Sequence, residues 1–127
     1  MPRIIISTEK APKPAAVYSQ AVKHGKMLYT AGQVAFDPKT GKIIGSTIEE
    51  QTRRTLENLK AVLEAAGYHF SDILKVNIFL KSPSDFQGMN KVYQEYFPEA
   101  PPARTTVQAE MMDPNLLIEL EAVACKD

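Results

Sequence analysis

Cysteine is almost absent: Cys125 is the sole thiol in 127 residues. No internal disulfide can form, which suits a reducing, cytoplasmic setting. Tryptophan is missing, and histidine occurs only at His24 and His69. His24 falls in a turn, His69 in a loop and Cys125 near the carboxyl end, with no metal-ligating spacing between them, so no metal is expected. Neither sign of charge is in excess, with 15 basic and 15 acidic residues. A dedicated nucleic-acid binder needs a basic field, so that class is disfavoured. No apolar run approaches the roughly 18 residues of a membrane span. Near the amino end only Ile4-Ile5-Ile6 is apolar, too short for the core of a secretory signal. A glycine-rich phosphate loop, paired zinc cysteines and a Gly-x-Ser-x-Gly elbow are all missing.

The composition is that of an ordinary globular chain, 44% apolar and 24% charged. A chain of this length fits one domain, residues 1–127, and buries about two-thirds of its unfolded surface. Residues 3–7 read as a short strand, and 17–22 with 26–31 as a hairpin turning at His24-Gly25. Asp37-Pro38-Lys39-Thr40-Gly41 is a strong turn signal. Thr47 and Glu50 have capping-box spacing. Ile48, Thr55, Leu56, Leu59, Val62, Leu63 and Ala66 then recur at helical intervals until Gly67 stops the helix. Residues 72–81 alternate as a strand, with Leu74, Val76, Ile78 and Leu80 on one face and Ile73, Lys75, Asn77 and Phe79 on the other.

Ser82-Pro83 opens a second helix with the apolar stripe Phe86, Met89, Val92, Tyr93, Tyr96 and Phe97, closed by Pro98. Two more strands are expected at about 102–109 and 115–124. The order β-β-β-α-β-α-β-β predicts an α+β fold, a single sheet with two helices packed on one face. The other face, carrying Leu117, Glu119, Glu121 and Val123, with Ile73 and Phe79 beside them, is left without a helix. It is either a subunit interface or an ordinary solvated face.

Two charges inside strands point to function. Arg104 lies in Ala103-Arg104-Thr105-Thr106-Val107, and its planar fork of donors matches a carboxylate bidentately. Glu119 in the last strand is either its ion-pair partner or a group that positions water, and Glu121 on the same face is a rival for that role. Read alone, Tyr18 is an edge aromatic, and Asn90 is either a helix residue bonded to nearby backbone or a site residue.

The runs Tyr18-Ser19-Gln20-Ala21, Ala31-Gly32-Gln33-Val34, Asp37-Pro38-Lys39-Thr40-Gly41, Gln51 to Gly67, Met89-Asn90-Lys91-Val92-Tyr93, Pro102-Ala103-Arg104 and Ile118-Glu119-Leu120-Glu121-Ala122 carry a resemblance. In combined spacing, over nearly the whole chain, they resemble the RidA/YjgF family of reactive-intermediate imine deaminases. The resemblance implies a chorismate-mutase-like fold, assembled as a homotrimer with active sites in clefts between subunits. It implies hydrolysis of 2-imino acids, released as enamines by pyridoxal-phosphate enzymes, to 2-oxoacids and ammonia, with no cofactor. The family's carboxylate-binding arginine falls on Arg104, its water-linked glutamate on Glu119 and its site tyrosine on Tyr18. Gly32 and Asn90 fall on substrate-binding positions. Ala31 stands where the family has serine, Thr106 where it often has cysteine, and Ala16-Val17 where it usually has Gly-Pro. Two other readings use the same cleft or the same family. One is a non-catalytic trimer that binds small carboxylates or regulates. The other is RNA cleavage or translation inhibition, against which neutral charge and the lack of aromatic–basic interleaving count.

Overall fold

The computed structural model describes all 127 residues. Its regular elements are β1 (Ile4–Ile6), β2 (Ala21–His24), β3 (Met27–Thr30), α1 (Ile48–Ala65), β4 (Ile73–Leu80), α2 (Phe86–Tyr96), β5 (Ala103–Gln108) and β6 (Ile118–Cys125). The six strands form one sheet in the order β1-β2-β3-β6-β4-β5. Every pairing is antiparallel except β4 with β5. A parallel pair requires a crossover, and α2 supplies it.

The alternation of β6 is realised in full. Ile118, Leu120, Ala122 and Ala124 are buried in one core with Leu56, Leu59, Val62 and Leu63 of α1 and Met89 and Val92 of α2. Both helices therefore cover the same face. The opposite face keeps Tyr29, Leu74 and Val107 exposed, at 54%, 53% and 45%.

The capping box at the start of α1 forms in both directions. Glu50 N donates to Thr47 Oγ1 at 3.2 Å and Thr47 N donates to Glu50 Oε1 at 3.1 Å. Two buried amides on α1 then tie down loops. Asn58 Nδ2 donates to the carbonyls of Val34 and Phe36, each at 2.9 Å. Gln51 donates to Gly45 O and Asn115 O and accepts from Leu117 N. Each amide supplies hydrogen-bond partners that the buried loop backbone would otherwise lack, and so ties those loops to the helix.

Three expectations need correction. The bulge between Ile73 and Lys75 shifts the register of β4 against β6. Ile73 therefore points into the core at 6% exposure while Leu74 faces out, the reverse of strict alternation. Residues 17–20 are not strand. Gln20 turns inward instead, donating to the carbonyls of Thr8, Ala11 and Pro12 and accepting from Thr8 N. One buried side chain thus pins the proline-rich segment that leads to Tyr18. The hairpin turn itself lies at Gly25-Lys26, since His24 pairs with Met27.

Candidate active site

Arg104 stands on the edge strand β5, in register with Val76 of β4. Val76 is fully buried on the helix side, so the arginine rises on that side too. Its Cζ lies over the Tyr93 ring at 4.8 Å and over the Phe86 ring at 5.6 Å. The ion pairs of the chain, Lys26 with Asp127 and Arg53 with Glu95, do not involve it. A cross-strand pair with Glu119 does not form, because β4 separates β5 from β6 and the two charges rise from opposite faces of the sheet.

Glu119 lies between Ile118 and Leu120, both fully buried, and so projects onto the open face beside Phe79. Burial raises its carboxyl above the usual range, and the neighbouring Glu121 charge adds to the rise. Glu121 is itself held: its Oε2 accepts from Asn77 Nδ2 at 3.1 Å. That bond separates the two rivals, since Glu119 makes no such contact and presents a carboxylate available to a ligand or water.

The approach to Glu119 is shaped by a second irregularity. β3 pairs with β6 through Tyr29 and Val123, and pairing resumes at Gln33 with Leu120. Four steps on one strand oppose three on the other, a bulge at residues 30–32. Thr30 Oγ1 fills the broken ladder by accepting from Ala122 N at 3.0 Å. The distortion brings Gly32 against Glu119 so closely that a Cβ at Gly32 would lie 2.1 Å from Oε2. Only glycine permits this approach. Ala31 N donates to Gln20 O at 2.9 Å, and its side chain carries no hydroxyl. Tyr18 is half exposed and lines a cleft of about 410 Å3 with Gly32, Gln33 and Lys39.

The remaining candidates gather around Arg104. Asn90 and Tyr93 line a cleft of about 350 Å3 with it. Asn90 makes no side-chain hydrogen bond to the local backbone, which sets aside its reading as a backbone partner. Thr106 follows two positions after Arg104 on the same face. Its Oγ1 is buried without a partner, and it lines an adjoining cleft of about 270 Å3 with Phe86. The chain thus displays two groups, Arg104–Asn90–Thr106 and Glu119–Gly32–Tyr18, on opposite sides of its sheet. Another cleft, about 840 Å3 between residues 41–46 and 113–117, contains neither group.

Tyr93 and Phe86 were legible only as members of the apolar stripe of α2. The signal that sets them apart is their spacing of seven, which stacks them on the helix face that meets Arg104. The bulge at residues 30–32 leaves no sequence signal beyond Gly32 itself.

The chain matches the family model described as Endoribonuclease L-PSP over residues 8–126. It is similar to a RutC family protein of Pyrococcus horikoshii, 52% identical over 97% of this chain and 98% of the relative. A protein of Dermatophagoides farinae named 2-iminobutanoate/2-iminopropanoate deaminase is 38% identical over 96% of this chain and 95% of its own. The crystal structure of the Escherichia coli YjgF gene product superposes with a TM-score of 0.91 at 36% identity, covering 98% and 99% of the two chains. No helix is long and apolar enough to cross a membrane.

Proposed function

The chain belongs to the RidA/YjgF family, the Endoribonuclease L-PSP family, and from that premise we propose that it hydrolyses reactive 2-imino acids to 2-oxoacids and ammonia. The observation that carries the reading is the division of the site. A cationic fork with its donors available lies on one side of the sheet, and a carboxylate with a raised pKa lies on the other. Neither group alone suffices for imine hydrolysis. A homotrimer in which the open sheet face of one subunit receives the β5 edge of the next completes both. The uncovered Tyr29, Leu74 and Val107 supply apolar surface for that contact.

In the assembled cleft Arg104 binds the substrate carboxylate through two parallel N–H donations, with Asn90 and the Thr106 hydroxyl beside it. Glu119 accepts a proton from water as the water oxygen bonds to the imine carbon. The C=N π pair moves to nitrogen, which takes that proton; Glu119 then takes the hydroxyl proton of the tetrahedral adduct and delivers it to the amine, so that the C=O forms as the C–N bond breaks and ammonia leaves. Burial suits Glu119 to this shuttle, because raising a carboxyl's pKa towards the working pH makes the carboxylate a stronger base while its acid form can still return the proton. Tyr18 donates to the adduct from the cleft wall. The carbon is already electrophilic, so positioning and one proton relay, about 100- to 10,000-fold, meet the need.

The test is release of ammonia and 2-oxoacid from 2-aminoacrylate generated in the cuvette from serine by a dehydratase. The wild-type chain should accelerate release over the spontaneous rate, and Glu119→Gln should not. Equal rates with and without the wild-type protein would end the reading and leave carboxylate binding without catalysis.

A further inference from the structure

Arg104 is held by rings and not by an acid. Tyr93 and Phe86 approach its guanidinium at 4.8 Å and 5.6 Å, and no carboxylate of the chain pairs with it. The choice has consequences. All five N–H donors of a guanidinium lie in its plane. A carboxylate partner would occupy two of them and neutralise the charge, and an incoming acid would have to displace it. An aromatic face attracts the cation through its quadrupole and occupies no N–H.

The ring of Tyr93 is itself immobilised. It is 5% exposed and packs on Phe97 at 4.5 Å. Phe97 packs on Phe70 at 5.3 Å and Phe70 on Tyr96 at 5.5 Å. Three aromatic rings, Phe70, Phe97 and Tyr93, therefore run from the α1–β4 connection to the arginine, with Tyr96 of α2 packed on Phe70. Phe86, 43% exposed, closes the outer side. We propose that Tyr93 and Phe86 are positioning residues that fix the Arg104 fork, through ring contact alone, for a ligand bearing a carboxylate. The inference rests on the functional reading above and adds two side chains to it. Fixing a long, flexible arginine before the ligand arrives removes an ordering cost from binding.

The hydroxyl of Tyr93 offers a control. It is buried and without a partner, so Tyr93→Phe keeps the ring and removes a group that contributes nothing to the fold. The experiment is calorimetric binding of 2-oxobutanoate and of its uncharged methyl ester to the full chain, beside thermal melts. Phe86→Leu, at an exposed position where folding is not at stake, should weaken the acid about two- to five-fold. Tyr93→Leu should weaken it further, up to about thirty-fold. Tyr93→Phe should stay within about two-fold of wild type and melt no lower. The ester should be unaffected in all three. Unchanged acid binding in Phe86→Leu overturns the proposal. So does a parallel loss of acid and ester, which signals general loosening, or a loss in Tyr93→Phe matching Tyr93→Leu, which assigns the effect to the hydroxyl. If the wild-type chain binds no 2-oxobutanoate, the functional reading falls together with this one. If it binds and the variants match it, only this one falls.

Discussion

Replacing Gly32 by alanine isolates the carboxylate from everything else in the site. A Cβ built at Gly32 would lie 2.1 Å from Glu119 Oε2, 2.9 Å from Cδ and 3.1 Å from Cγ. Real Cβ contacts hardly ever fall below 3.0 Å. The difference, 3.0 minus 2.1, requires Oε2 to retreat by at least 0.9 Å. A displacement of about 1 Å in a group that must meet a reacting atom lowers turnover on the order of 100-fold. Stability should respond differently. Gly32 needs no positive φ, so alanine fits its backbone, and the stiffer unfolded chain contributes about 0.4–1 kcal/mol in its favour. Moving a half-buried carboxylate offsets a similar amount. The variant should thus melt close to wild type while kcat on freshly generated 2-aminoacrylate falls about 100-fold. Adding Gly32→Ala to Glu119→Gln should cause little further loss, because both act through one carboxylate. Full turnover in Gly32→Ala, with a structure of the variant showing Oε2 displaced, would refute the assignment of Glu119.

Glu119→Gln should also raise the melting temperature at neutral pH. The folded carboxyl has a raised pKa through burial and Glu121, so the native state binds more protons than the unfolded state. Stability therefore falls as pH rises from the unfolded carboxyl value of about 4.3 through the folded one. Melts from pH 4 to pH 8 should show the advantage of the amide growing with pH and vanishing at the acid end; a constant difference would contradict the burial argument. Arg104→Lys should lose most activity despite its retained charge, because an ammonium cannot reproduce a planar two-bond fork; steady-state kinetics with full activity would remove Arg104 as the anchor. Sedimentation equilibrium at micromolar concentration should give a trimer, and a monomer that nonetheless turns over substrate would dismantle the shared-cleft model.

The elements themselves were legible because their causes are local. Thr47 and Glu50 cap α1 within four residues of each other. Ile118, Leu120, Ala122 and Ala124 announce a half-buried strand by period alone. Pro83 and Pro98 bracket the α2 region by the donor each lacks. From these the count of two helices and six strands in one sheet follows. Motif spacing likewise pointed to Arg104 and Glu119 before any geometry was known.

What the sequence could not determine was which strand lies beside which, and what each side chain meets there. Only the folded sheet inserts β4 between β5 and β6, which turns an apparent Arg104–Glu119 pair into two groups on opposite faces. Only the bulge at Ile73–Lys75 exchanges Ile73 and Leu74 between core and surface, and only the bulge at residues 30–32 brings Gly32 onto Glu119. The ring contacts of Arg104 and the hydrogen bond that occupies Glu121 are likewise contacts between distant segments. Capping and alternation depend on neighbours a few residues away. Register and facing depend on groups tens of residues apart in the chain, and packing alone brings those together.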